Sequence, residues 1–96
     1  MTSMTAVSVC EVIRDPKLHM GAPVAVGPAE IVHCDLELKR IDIAAGGGKL
    51  MVSLSELVEG IPAERLGVGQ MVSSVTGLVR KQARRTYFAA SHIVLQ

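Results

Sequence analysis

The alternation of apolar and polar positions predicts a chain built from β-strands, most clearly in its last third. Residues 71–79 and 86–95 are apolar and rich in β-branched side chains, and a basic link, residues 80–85, separates them. Apolar runs of this length, bounded by turn or charge signals, are typical of strands rather than helices. We therefore expect two strands that form a hairpin with the basic link at its tip.

Two segments nearer the N-terminus also predict strands from their apolar positions. Residues 5–13 carry apolar side chains on both parities and one charge, Glu11, which indicates a first strand buried on much of both faces. Residues 49–58 place Leu50, Val52 and Leu54 on one parity and mixed residues on the other, which indicates a third strand.

The second predicted strand, residues 30–40, has the most regular alternation in the chain. A strand with one wet face shows this period of two. The apolar side of the pattern consists of Val32, Cys34, Leu36 and Leu38. The opposite, wet side consists of Ile31, His33, Asp35, Glu37 and Lys39.

Proline and glycine divide these strands. Pro16 ends the first strand, and residues 18–28, with two Gly and two Pro, predict a loop containing at most a short strand at residues 24–26. Residues 41–48 end in three glycines and predict a flexible turn or a long hairpin loop. Residues 60–67 predict a helical turn, with a longer helix over residues 55–66 as the alternative.

Five strands, a short helical turn between the third and fourth, and long loops after strands 1, 2 and 4 indicate an all-β fold. We expect a five-stranded Greek-key barrel of the OB-fold type, with another small barrel or a sandwich as alternatives. Ninety-six residues suit one domain, residues 1–96, and we expect residues 1–4 to be frayed.

Charge is distributed unevenly along the chain although the formal net charge is only +1. Residues 1–64 hold nine acids and five cations, a balance of −4, whereas residues 65–96 hold five cations and no acid. Such polarity predicts one face suited to a polyanion, although cations at a hairpin tip also keep an edge soluble. Four of these cations lie within residues 80–85.

Other classes of function lack support in the sequence. The three histidines are scattered, no serine lies in a nucleophile elbow, and Cys10 and Cys34 fit no metal or redox spacing, which favours two buried free thiols. We therefore expect no enzyme activity, no metal and no cofactor. The chain lacks a secretory signal pattern and a long apolar run, so a cytoplasmic location is expected.

The final hairpin resembles the primosomal replication protein N family, PriB. The similarity is carried by GQMVSSVTGL, the following RKQARR, and an apolar strand containing SHIVL. PAEIVHCDLELKR resembles the second strand of that family, and VSVCEVIRDPKL resembles its first strand and exit. The family's Pro-small-Gly-apolar-Pro signature is not intact here, since the chain has GPAEI at residues 27–31.

This resemblance implies a homodimeric OB-fold protein that binds single-stranded DNA during replication restart, with a PriA-type helicase and, in some bacteria, DnaT. It places basic DNA contacts in the loop between strands 4 and 5. The implied nucleic-acid contacts are Arg80, Lys81, Arg84 and Arg85, extended by Arg14, Lys17, Lys39 and Arg40. We expect residues 5–13, apolar on both parities, to form part of a dimer interface.

Only two aromatic residues, Tyr87 and Phe88, are available to stack on bases. Adjacent strand residues point to opposite faces, so one of them faces a groove and the other packs in the core. Binding dominated by phosphate contacts, with Tyr87 as the candidate platform, is therefore expected. An OB-type protein-interaction module with negligible DNA affinity is the alternative, and an RNA-binding protein of the cold-shock kind ranks last.

Overall fold

The computed structural model describes residues 5–58 and 66–96. The described chain forms seven strands and two short helices. In chain order they are β1 (Thr5–Val7), α1 (Val9–Arg14), α2 (Pro16–His19), β2 (Val24–Val26), β3 (Ala29–Asp35), β4 (Arg40–Ala45), β5 (Gly48–Ser53), β6 (Met71–Gln82) and β7 (Arg85–Leu95).

Five of these strands close into a barrel. Strand β3 pairs with β4, β4 with β5, β5 with β7, β7 with β6, and β6 returns to β3. All of these pairs are antiparallel except β5–β7, which is parallel. A five-stranded closed ring in the order 1-2-3-5-4 is the Greek-key arrangement of an OB-fold. The predicted fold class is confirmed.

The strands that build the barrel differ from those expected. The predicted second strand, residues 30–40, corresponds to β3, the first strand of the barrel. The short strand β2 comes before it in the chain, and both β2 and β3 pair with β6. The second barrel strand is β4, which lies in the segment predicted as a turn or loop. Only Gly46 and Gly47, with φ of 59° and 86°, form the turn that follows it. Because glycine adopts these angles freely, β4 continues directly up to the turn and ends at Ala45.

The N-terminal segment, residues 5–13, is not one strand. Strand β1 ends at Val7, and helix α1 begins after Ser8, whose side chain accepts a hydrogen bond from the Glu11 N–H at 3.1 Å. Val9 and Val12, three positions apart on one helix face, are both fully buried. A serine cap and core packing therefore outweigh the strand propensity of the valines. The short helix α2, which begins at Pro16, was also not predicted.

Strand β3 carries a bulge that reverses the predicted faces of Ile31 and Val32, whereas Cys34 and Leu36, beyond the bulge, pack against the core as predicted. Its pairing with β4 shifts between Ile31 and His33, so Val32 is the additional residue. Ile31, expected on the wet side, is fully buried, whereas Val32 is 38% exposed. Leu38, also expected inside, is 65% exposed because the chain has left the strand at Asp35.

The predicted C-terminal hairpin is confirmed as β6 and β7, which pair from Val72–Leu95 to Gln82–Arg85. The long loop expected after the fourth strand is wrong, because the strands extend into the basic segment and meet at a two-residue turn, residues 83–84. The predicted helical turn at residues 60–67 lies largely outside the described residues. For the alternative helix, residues 55–58 lie in turns rather than in a helix.

The core fills the barrel and one of its ends. Phe88, Ile31, Ile41 and Ile43 are fully buried, and the valines of β1 and α1 belong to the same cluster. Val7, Val9 and Val12 thus pack within their own chain, whereas Ile13 is 42% exposed, and a subunit interface at residues 5–13 stays a prediction.

The two cysteines are free and half-buried rather than fully buried. Cys10 lies in α1 instead of a strand, and its thiol donates to the carbonyl oxygens of Ala45 and Gly46 at 3.4 and 3.3 Å. Cys34 packs against the edge of the core from β3. Neither helix of the described chain is long and apolar enough to cross a membrane.

Candidate nucleic-acid interface

A groove of about 830 Å³ opens on the outer surface where β4 begins and β5 ends. The turn between β3 and β4 forms one wall, and the β6–β7 turn forms the other. The outer faces of β4, β5 and β7 form the floor. The lining residues are Leu38, Lys39, Arg40, Met51, Ser53, Ser55, Gln82, Ala83, Arg84, Arg85 and Tyr87.

The first wall is held by local hydrogen bonds. The side chain of Asp35 accepts from the N–H of Leu38, three residues further on, at 3.1 Å. Lys39 has φ of 53°, and its carbonyl accepts from the Leu54 N–H at 2.7 Å. These contacts fix the backbone from which Lys39 and Arg40 extend into the groove.

The floor is set by the register of three strands. Arg40 lies opposite Ser53, and Met51 lies beside Tyr87. Paired residues of neighbouring strands share a face, so these side chains lie on one surface. Phe88, the next residue along β7, is fully buried on the other face. The expectation that only one of the two aromatic residues faces the groove is confirmed, and it is Tyr87.

The second wall is the tip of the hairpin. Gln82 pairs with Arg85, and Ala83 and Arg84 connect them. Ala83 has φ of 56°, and a positive φ at the first turn residue is what a tight two-residue hairpin connection requires. The tight turn sets Arg84 and Arg85 beside each other at the edge of the groove.

The groove has a strongly positive lining. Lys39, Arg40, Arg84 and Arg85 contribute four cations, and no carboxylate is among the described lining residues. Within residues 5–58 and 66–96 one ion pair forms, between Arg80 and Glu56 at 3.0 Å, and neither side chain lines the groove. The Nε atom of Arg40 is buried and has no hydrogen-bond partner among the described residues.

The structure brings together five of the nine predicted contacts: Lys39, Arg40, Arg84, Arg85 and Tyr87. Arg80 and Lys81 lie on β6, next to the groove but outside its lining.

Arg14 and Lys17 are exposed on α1 and α2. Helix α1 packs near Gly48, where a Cβ would lie 3.0 Å from the Ile13 side chain. Gly48 begins β5 and Ser53 ends it, so about 17 Å of strand separates α1 from the groove.

Six further residues of the lining were not predicted from the sequence: Leu38, Met51, Ser53, Ser55, Gln82 and Ala83. The positions of Met51, Ser53 and Ser55 could have been predicted. In residues 49–58 they alternate with the apolar core residues, so the predicted strand places them on its outer face. Leu38 carried a misleading signal, since its place in a regular alternation indicated a core position.

Among the described residues, no three His, Cys, Asp or Glu side chains come close enough together to hold a metal ion. Comparison with protein-family models and with curated proteins finds no match to this chain. The candidate site is therefore defined by its geometry and charge.

Proposed function

We propose that this protein binds single-stranded DNA in the basic groove and has no catalytic role. The observation that carries the proposal is the position of four cations and one aromatic side chain between two turns of an OB-fold barrel. These turns follow the first and the fourth barrel strands. In OB-folds generally, the face of strands 2 and 3 and these two connections bind oligonucleotides.

Each group in the groove has a physical role in this proposal. Lys39, Arg40, Arg84 and Arg85 contact phosphates, with the bidentate geometry of guanidinium available at three of the four positions. Tyr87 stacks on one base. A groove with a single aromatic platform binds mainly through the backbone, so it discriminates little between bases and responds strongly to salt.

The wider biological role in the proposal rests on the resemblance to the PriB family alone. It extends the proposal to a homodimer that assists replication restart, with a PriA-type helicase and possibly DnaT as protein partners. A dimer presents two basic grooves, which raises the avidity for a long strand without any new contact.

The proposal is tested by removing the two arginines at the hairpin tip. Arg84→Ala combined with Arg85→Ala should weaken binding of a fluorescent dT oligonucleotide at least tenfold, measured by anisotropy at low salt. Arg14→Ala combined with Lys17→Ala is the matched control, because it removes the same charge at the distant helices. Equal affinities for the two double variants would refute the assignment of the groove.

A second candidate function is docking of an acidic, partly apolar protein segment in the same groove. Leu38, 65% exposed on the groove wall beside Lys39, favours it, since an exposed leucine next to cations suits an amphipathic acidic peptide. A protein that ignores dT oligonucleotides at low salt but retains an acidic peptide through Leu38 would establish this alternative.

A further inference from the structure

The ion pair between Arg80 and Glu56 lies at the margin of the groove. The Arg80 Nη2 and Glu56 Oε1 atoms are 3.0 Å apart, and the side chains are 44% and 48% exposed. Arg80 pairs directly with Tyr87 across β6 and β7, so its side chain leaves the sheet on the face that carries the aromatic platform. Glu56 directly follows Ser55, which lines the groove.

We infer that Glu56 competes with the nucleic-acid phosphate for Arg80. The Glu56 carboxylate keeps Arg80 paired at the margin of the groove until a phosphate displaces it. This inference rests on the proposed DNA-binding function. Arg80 has the position and the chemistry of a fifth phosphate contact, but a phosphate gains it only by displacing the Glu56 carboxylate. The four lining cations have no carboxylate partner among the described residues, so Arg80 differs from them in this respect.

In this arrangement Glu56 limits what Arg80 contributes to the affinity for DNA. An exposed ion pair is weak and exchanges readily, so Glu56 lowers affinity without blocking the groove. When a DNA phosphate replaces the Glu56 carboxylate at Arg80, no net counterion is released there, because one anion substitutes for another. Removing the charge of Glu56 converts Arg80 into an ordinary phosphate contact, which releases a counterion when DNA binds.

The test is a double-mutant cycle on dT-oligonucleotide affinity, measured by anisotropy over a salt series. Glu56→Gln should tighten binding about twofold to fivefold at low salt and steepen the slope of log K against log salt by about 0.7. Arg80→Gln alone should change affinity by less than about twofold, because its partner is already Glu56. In the Glu56→Gln/Arg80→Gln double variant the gain should disappear.

Glu30→Gln is the control, since it makes the same charge change on β3, whose exposed Glu30 pairs with Met71 away from the groove. A gain in Glu56→Gln that equals the gain in Glu30→Gln, or that persists without Arg80, would overturn the inference while leaving DNA binding intact. Absence of binding by the wild-type protein and by Glu56→Gln would instead overturn the proposed function and the inference together.

Discussion

Tyr87 and Phe88 are adjacent aromatic residues that point to opposite faces of β7. Phe88 is the largest fully buried side chain in the described part of the chain, whereas Tyr87 lines the groove beside Met51. A change at Tyr87 is therefore expected to affect ligand binding, and a change at Phe88 to affect folding.

Tyr87→Ala should weaken dT-oligonucleotide binding by about 1–3 kcal/mol, the contribution of one stacked base, which is roughly a 5- to 150-fold increase in Kd. Tyr87→Phe keeps the ring and should bind within a few fold of wild type. Thermal unfolding followed by circular dichroism checks that the fold is retained. An alanine variant with wild-type affinity would show that no base stacks on Tyr87.

The hairpin of β6 and β7 depends on one glycine for its close pairing. A Cβ at Gly77 would lie on the carbonyl of Ala89, next to the register shift between Thr76 and Gly77. Gly77→Ala should therefore separate the strands and destabilise the protein by about 2 kcal/mol or more. Urea denaturation measures this loss. Gly67→Ala is the control, because its Cβ would have no neighbour within 4 Å.

The elements also show what the sequence could predict. The hairpin and the fold class were predictable, because apolar periodicity, charge and turn signals agree along residues 71–95. The faces of Ile31 and Val32 in β3 were not predictable, because the bulge at Val32 shifts the period of two by one residue and leaves no mark in composition. Helix α1 was missed because its valines favour strands, and only contacts with distant residues bury Val9 and Val12 on one helix face.

The candidate site was predictable where a charge cluster marked it and unpredictable where the fold assembled it. Arg84 and Arg85 are adjacent to other cations in the chain, so their grouping is visible in the sequence. Lys39 and Arg40 lie near Tyr87 because β5 and β7 pair in parallel, and no local sequence pattern predicts that pairing. Arg14 and Lys17, although basic, lie near the opposite end of β5.

At the scale of the whole molecule, the near-neutral net charge conceals a separation of charge in space. The groove gathers Lys39, Arg40, Arg84 and Arg85, while the acids of the described chain lie outside its lining. A protein of net charge +1 has little long-range attraction for a polyanion, so binding depends on local contacts in the groove. Affinity should therefore follow the number of lining cations rather than the total charge.

Binding of single-stranded DNA through phosphate contacts is tested most directly by the affinity of the wild-type protein for a labelled dT oligonucleotide as a function of salt. Four phosphate contacts on a single strand predict a slope of log K against log salt of about −3, or roughly a 50-fold loss of affinity between 50 and 200 mM salt. Absence of binding even at low salt, or tight binding insensitive to salt, would contradict a phosphate-contacting groove.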